Sequence, residues 1–278
     1  MRLATFNLLH GRSVDDQRVD EGRLRAAIRS LDADVLCLQE VDCWQPRSHR
    51  SHMTRVVAEA MEADFWRFEP TLMGIPGGAW RGREGGADLG AVLGHSSAHA
   101  QTRAAQPTEA AYGLGLVSRA PVDSWRVLAL PAAPLRSPVL MPGTGRPMLL
   151  TDEPRAALAA MLSTPDGPLT VVCTHLSFVP GWNAWQLRRL ISGVADLPDP
   201  LVVLGDLNLP GPLPRLLTGW RQLARVATYP AWRPRVQFDH ALARGGCWTR
   251  HSVDAVRLPI SDHRALVVDA TLSAARHG

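Results

Sequence analysis

The chain has 278 residues, 46% hydrophobic and 20% charged, with a formal net charge of +4. A chain of this size and make-up can bury a large core without disulfide or metal staples. All 30 basic side chains are arginine and none is lysine, which excludes a lysine nucleophile or Schiff base. Arginine-favouring codon usage accounts for most of that bias. Its consequence stands regardless of cause, because a guanidinium fork binds phosphate bidentately. The mild positive charge favours an anionic partner.

In chain order, Arg2–Leu8 reads as a buried strand and Glu21–Leu31 as a helix with apolar spacing at Leu24, Ile28 and Leu31. Asp34–Gln39 is a second strand and Thr54–Glu62 a second, short helix. Gly74–Gly90 is rich in Gly and Arg and predicts a mobile loop. Gly113–Ser118, Trp125–Leu130, Arg155–Leu162 and Leu169–Thr174 read as strands, with Pro131–Pro147 as a proline-rich connection. Trp185–Val194 is helical, Leu201–Leu204 is a buried strand, and Val236–Ala241 and Ala265–Thr271 close the series. No repeat or interdomain linker interrupts it, so residues 1–278 are expected to form a single domain. Hairpin neighbours alternate with helical crossovers, which fits a mixed α/β layered fold better than a purely parallel sheet.

The four cysteines, Cys37, Cys43, Cys173 and Cys247, lack zinc spacing. Cys37 and Cys173 lie in apolar runs and read as buried thiols of a reducing compartment. The first strand begins at once, which leaves no room for a secretory leader, and no apolar run approaches membrane-spanning length. The expectation is a soluble cytoplasmic protein with no membrane insertion and no obligate protein partner.

Polar residues of useful type close several separate apolar runs. Asn7 follows the first strand, Glu40 the second, and His175 the run at Leu169. Asp206 and Asn208 follow Leu201–Leu204 in Gly-Asp-Leu-Asn, and a strand running through them would point both side chains the same way. Asp239 and His240 follow Val236–Phe238, and Ser261-Asp262-His263 precedes the last strand. Strands must end in polar residues, so each case alone is routine. Repeated Asn, Asp, Glu and His at these ends point to one convergent polar site.

The ordered set resembles the endonuclease/exonuclease/phosphatase superfamily. It runs from Thr-Phe-Asn at Asn7 and Gln-Glu at Glu40 through Gly113–Arg119, Pro-Arg-Ala-Ala-Leu at Arg155 and Thr-His-Leu at His175. It continues with Gly-Asp-Leu-Asn, Phe-Asp-His at Asp239 and Ser-Asp-His at Asp262 and His263. The resemblance spans about residues 3 to 270 and implies an α+β, four-layer αββα sandwich of two mixed sheets. It also implies Mg2+, with Mn2+ as substitute, held mainly by Glu40 with Asn7 and Asp262. By position, Asp206 orients or deprotonates the attacking water and Asn208 holds phosphate or water. His263 faces the phosphate, paired with Asp239, and His175 donates to a non-bridging oxygen. Arg155 contacts phosphate or supports the site. Magnesium's preference for hard oxygen ligands suits these residue types.

The sequence departs from that pattern in two places. Many relatives carry an acid two positions after the first asparagine, where this chain has Leu9, so one metal is favoured over two. The asparagine-rich loop expected of abasic-site enzymes is replaced by Ser177–Trp182.

Other features read as structural. His49/His52 and His95/His99 lack supporting ligands for zinc, and Gly85-Gly86 and Gly113/Gly115 lack the rest of a nucleotide-binding loop. His10 and His240 read as local turn supports, and Ser118 has no case as a nucleophile. Trp182, Trp185 and Trp232 could stack on bases or cover sheet ends, and Arg233 and Arg235 could track phosphate. Arg188 and Arg189 could equally be a solvated helix face. The reading is a metal-dependent phosphoesterase, with nucleic acid or nucleotide favoured as substrate. The alternatives are a phosphatase or phosphodiesterase of a small metabolite or phospholipid head group, and an inactive binding module on the same fold.

Overall fold

The structure, a computed structural model, describes residues 1–75, 81–82, 107–134, 136–140 and 147–273. Its strands are near-continuous apolar runs because most are covered on both faces. The first part of the chain gives β1 (Arg2–Asn7), α1 (Glu21–Leu31), β2 (Val35–Cys43), α2 (Met53–Met61), β3 (Phe65–Met73), β4 (Arg81–Gly82) and β5 (Ala111–Ser118). Then come β6 (Val122–Leu130), β7 (Ser137–Leu140), β8 (Pro147–Leu150), β9 (Arg155–Thr164) and β10 (Gly167–His175). The remainder gives α3 (Trp182–Gly193), β11 (Leu201–Asp206), α4 (Leu213–Thr218), β12 (Arg221–Gln222), β13 (Asp239–Arg244), β14 (Cys247–Val256) and β15 (Ala265–Ser273).

Two mixed sheets result. One runs β14-β15-β1-β2-β5-β3-β4 and the other β12-β13-β11-β10-β9-β6, with β7 and β8 forming a separate hairpin. The parallel pairs β1/β2 and β10/β11 are bridged by α1 and α3, as a parallel step requires a crossover. Alternation then sorts each strand between two cores. Leu3, Val35, Cys37, Val171, Cys173, Val202 and Leu204 meet between the sheets. Ala4, Leu36 and Leu38 face α1 and α2 on one outer side, and Val172 and Val203 face α3 on the other. The α+β sandwich therefore has helices outside two stacked sheets. Asp20 caps α1 by accepting from the Arg23 amide at 2.6 Å, and Asp32 ends the helix in the left-handed conformation. Among the described residues no helix is long and apolar enough to cross a membrane.

Several boundaries differ from expectation, each for a local reason. The second strand continues past Gln39 to Cys43, carrying Glu40 on a bulge rather than at an end. The last strand of the second sheet's central trio starts at Asp239, not Val236, because residues before it are tied to the 228–229 turn. The proline-rich connection carries β7, and its last residue, Pro147, begins β8, which pairs with it. Phe65–Met73 escapes the sequence pattern because Pro70 interrupts it, and the strand absorbs that proline at a register shift. Cys247–Val256 escapes it because much of this edge strand is polar or half-exposed. Most of Gly74–Gly90, together with His95/His99 and Gly85-Gly86, lies outside the described residues.

Gly205 shows how tightly β10 and β11 approach at the functional end. A Cβ there would sit 2.0 Å from the Thr174 carbonyl oxygen, which the backbone cannot yield without moving His175 or Asp206. Gly205→Ala should therefore destabilise the protein by about 1–3 kcal/mol or more, as overpacking does. Urea denaturation measures this, and a midpoint equal to wild type would show that the approach is not constraining.

Candidate active site

The functional end of the sandwich is set by strand direction. The parallel strands β1, β2, β10 and β11 deliver Asn7, Glu40, His175 and Asp206 there, while the antiparallel strands β9 and β13 begin there with Arg155 and Asp239. His175, Asp206 and Asp239 are direct register partners across three strands. Ser261-Asp262-His263 joins them from the turn before β15. An open cavity of about 250 Å³ is lined by Asn7, Glu40, Arg155, His175, Asp206, Asn208, Asp262 and His263, with Phe178, Tyr229 and Phe238 as its aromatic wall.

Three backbone devices aim these side chains. Glu40 has φ +55 at the β2 bulge, which turns its carboxylate out of the strand's alternation. Strand β11 ends at Asp206, and Asn208 enters the left-handed region at φ +49, a conformation asparagine tolerates. The two do not share a pleated face as the sequence predicts. They meet through a turn in which the Asn208 amide donates to Asp206 Oδ1 at 3.0 Å. Ser261 clasps the third segment: its hydroxyl donates to the Asn7 carbonyl at 2.6 Å and accepts from the His263 amide at 3.0 Å.

Asn7 joins the two sheets. Its Nδ2 donates to Glu40 at 3.0 Å within its own sheet and to Asp206 Oδ2 at 3.1 Å across the sandwich. Its Oδ1 accepts from the Leu9 amide at 3.1 Å, which orients the side-chain amide. Asn7 thus bridges two carboxylates as a donor, and its oxygen keeps one lone pair.

Asp206 is fully buried and its carboxyl is pushed up to about 7, chiefly by burial, with the His263 charge opposing and Asp239 adding to the rise. His263 Nδ1 lies 2.9 Å from Asp239 Oδ2, and its Nε2 lies 3.7 Å from Asp206 Oδ2. Burial works against its charge, but the carboxylates of Asp239, Asp206 and Asp262 outweigh it and hold the imidazole up at about 10. His175 is the opposite case. Burial, the Arg155 guanidinium and His263 push it well below its usual value, so it is neutral. Arg155 Nη1 lies 3.1 Å from His175 Nδ1, and a guanidinium can only donate. A neutral ring has one acceptor nitrogen, and Arg155, the charged and closer donor, takes Nδ1 in preference to the Asn208 amide at Nε2, which leaves the proton on Nε2, 3.6 Å from Asp206 Oδ2.

A hard divalent cation fits Glu40 and Asp262. Burial raises the Glu40 carboxyl, the Asn7 hydrogen bond opposes, the Asp262 charge raises it further, and the His263 and Arg155 charges offset part of that rise. Both line the cavity and offer oxygen donors. Asp206, Asp239 and His263 also lie with ligand-type atoms within 4.8 Å of one another. His263 is cationic and its Nδ1 is engaged by Asp239, so that trio reads as an ion-pair chain instead.

Not all expected residues converge. Trp182 stacks on Trp185 at 4.4 Å and donates its indole N–H to the Pro131 carbonyl, away from the cavity lining. Arg233 and Arg235 are on the loop that carries Tyr229 and do not line the cavity. Sequence reasoning missed Tyr229, whose ring lies 4.9 Å from that of His263, and Phe178 and Phe238. It also passed over Asn183, whose amide donates to the Asn208 carbonyl at 2.8 Å. Scarcity was the available signal, because all three asparagines of the chain serve this end.

Residues 4–263 match the profile of the endonuclease/exonuclease/phosphatase family. A search of curated proteins finds no match. Among solved structures, an endonuclease/exonuclease/phosphatase from Beutenbergia cavernae superposes with a TM-score of 0.64 at 22% identity, covering 100% of this chain and 73% of that one. The human Nocturnin catalytic domain with bound sulfate superposes at 0.55 with 18% identity, covering 98% and 93%. TDP2 from D. rerio, complexed with a single-strand DNA product, gives 0.53 at 14% identity, covering 98% of each chain. With strand order, cavity and family profile in agreement, the chain belongs to the endonuclease/exonuclease/phosphatase family, whose members are phosphoester hydrolases.

Proposed function

We propose that residues 1–278 act as one unit, a divalent-metal-dependent phosphodiesterase of nucleic acid or nucleotides. The observation that carries this reading is Asp206, a buried carboxylate facing two histidines in opposite charge states. A carboxylate near neutrality can accept a proton from water. The neutral His175 presents Nε2–H and the cationic His263 presents a charge, so both can bind phosphoryl oxygens as negative charge grows there. Asn208 adds its side-chain amide, which donates to the Leu176 carbonyl at 3.0 Å and lies 3.3 Å from His175 Nε2. Asp239 keeps His263 charged and oriented, and Arg155 keeps His175 in its donor tautomer.

Mg2+, or Mn2+ in its place, would be held by Glu40 and Asp262 and would offset charge on the phosphoryl oxygens. Asn7 then acts as the bridge that fixes Glu40 against Asp206. The aromatic wall of Phe178, Tyr229 and Phe238 offers flat apolar surface for a base or sugar. The DNA product bound to TDP2 supports that preference by family likeness. One observation favours a small-metabolite phosphate instead: among the described residues, Arg155 is the only arginine lining this cavity. Arg233 and Arg235, exposed and close to Tyr229 in the chain, would meet a longer polyanion in the nucleic-acid reading.

Two outcomes are expected. Chelation with EDTA should abolish turnover and added magnesium restore it, and Asp206→Asn, nearly isosteric, should lower kcat by about 10²–10⁴-fold with the fold intact. Full activity in excess chelator, or near-normal turnover of the variant, would overturn the mechanism. Binding of single-stranded DNA or RNA should weaken steeply with salt. Replacing Arg233 and Arg235 with alanine should flatten that slope by roughly one unit for each phosphate no longer neutralised. Turnover of a small phosphomonoester with no nucleic-acid binding at low salt would decide for the metabolite reading.

A further inference from the structure

A second and larger cavity is built on the segment that follows Asn7, and its Arg47 is near enough to Glu40 of the first for their charges to interact. It measures about 640 Å³ and is lined by His10, Arg12, Gln17, Arg18, Val19, Arg47 and His49, with no acidic residue among these described residues. The loop after β1 builds it. Leu9, His10 and Gly11 all take positive φ, and the Arg12–Val19 bridge closes the loop so that Arg12 and Arg18 flank one opening.

The three arginines differ in what already holds them. Arg47 makes a bidentate pair with the buried Asp42, at 2.9 and 2.7 Å. Among the described residues, the Arg12 and Arg18 guanidinium groups form no ion pair. Asp16, the nearest acid along the loop, is held bidentately by Arg23 and accepts the Arg18 backbone amide, so its charge reaches Arg18 only without a side-chain ion pair. Arg12 Nε is buried without a hydrogen-bond partner, which is a costly state for a charged donor. His10 shows the same excess of positive charge: burial, then Arg47 and Arg12, push it down to about 3. The cavity is thus a concave set of donors with spare capacity, the arrangement that binds phosphate.

Its position ties it to the hydrolytic site. His10 follows Asn7 by three residues. The Arg12 carbonyl accepts from the Ser261 amide at 2.8 Å, next to Asp262 and His263. One connected stretch of backbone therefore holds both cavities in fixed relation. We propose that this cavity is a phosphate subsite that takes a second phosphate of the substrate, one not attacked. The inference rests on the phosphoesterase reading only for the word substrate. The anion site itself stands on the cavity's own donors. It commits the substrate class further, to esters carrying at least two phosphates, such as an oligonucleotide or a nucleotide with a flanking phosphate.

The test has two arms. In the first, inorganic phosphate is titrated calorimetrically into chelator-treated protein, with His263→Ala as the control for phosphate held by the catalytic cavity. Wild type should bind. Arg12→Gln combined with Arg18→Glu should weaken binding by about tenfold or more, as removal of charge-assisted donors implies. His263→Ala should retain it. Arg47 is left in place because Asp42 depends on it, and thermal melting confirms that the variants fold. No binding to chelated wild type, or binding abolished in His263→Ala but kept in the arginine variant, overturns the subsite. In the second arm, KM is compared for bis(p-nitrophenyl) phosphate and a 5′-phosphorylated dinucleotide in the presence of magnesium. Wild type should favour the dinucleotide, and the arginine variant should lose that preference. A preference that survives the substitutions, alongside phosphate binding that does not, would make the cavity a free-phosphate site and overturn its role in substrate binding. A wild type that turns over neither ester would count against the phosphoesterase reading, while the first arm still decides the anion site.

Discussion

The functional end of this protein depends on how one buried carboxylate is compensated. Asp206 lies at the end of a central strand, between the sheets, where an unpaired charge costs several kcal/mol. It receives a hydrogen bond from Asn7 of the other sheet and faces the His263 imidazolium, which Asp239 supports from behind. Remove the imidazolium and three buried or half-buried acids stand together uncompensated. The chain Asp239–His263–Asp206 therefore serves stability and chemistry at once. The same burial that raises Asp206 toward neutrality keeps His175 uncharged, because Arg155 already supplies the positive charge on its far side.

This arrangement explains why the surrounding backbone is unusual. A pleated strand alternates its side chains, so no regular strand could bring Glu40, Asn208 and Ser261 to one point. A bulge, a left-handed asparagine and a positive-φ serine do so instead. Each is locally costly and is held by hydrogen bonds to neighbours of the same site. Gln39, beside Glu40, has a matching role beneath the rim: its amide bonds Thr5 and reaches Cys173 of the opposite sheet.

Much of this was legible in the sequence because both signals were short-range. Apolar runs marked the central strands, and polar residues at their ends marked the site. Asn7, Glu40, Arg155, His175, Asp206, Asn208, Asp262 and His263 all line one cavity, and Asp239 stands behind His263. What stayed hidden depended on tertiary placement. The Phe178, Tyr229 and Phe238 wall comes from loops with no period, and Trp182, attractive beside a motif, turns instead to Trp185 and Pro131. The second cavity was invisible for the same reason. Its arginines are scattered from Arg12 to Arg47 among 30 in the chain, and only the closed loop after β1 gathers them.

The central claim is that His263 is a standing cation that compensates Asp206 and Asp239. It is tested most directly by nitrogen-15 NMR of the imidazoles in metal-free protein across a pH titration. The account predicts that His263 stays doubly protonated through neutrality and loses its proton only near pH 10, while His175 stays neutral with its proton on Nε2. A His263 that titrates near the ordinary histidine value of about 6.5 would contradict it.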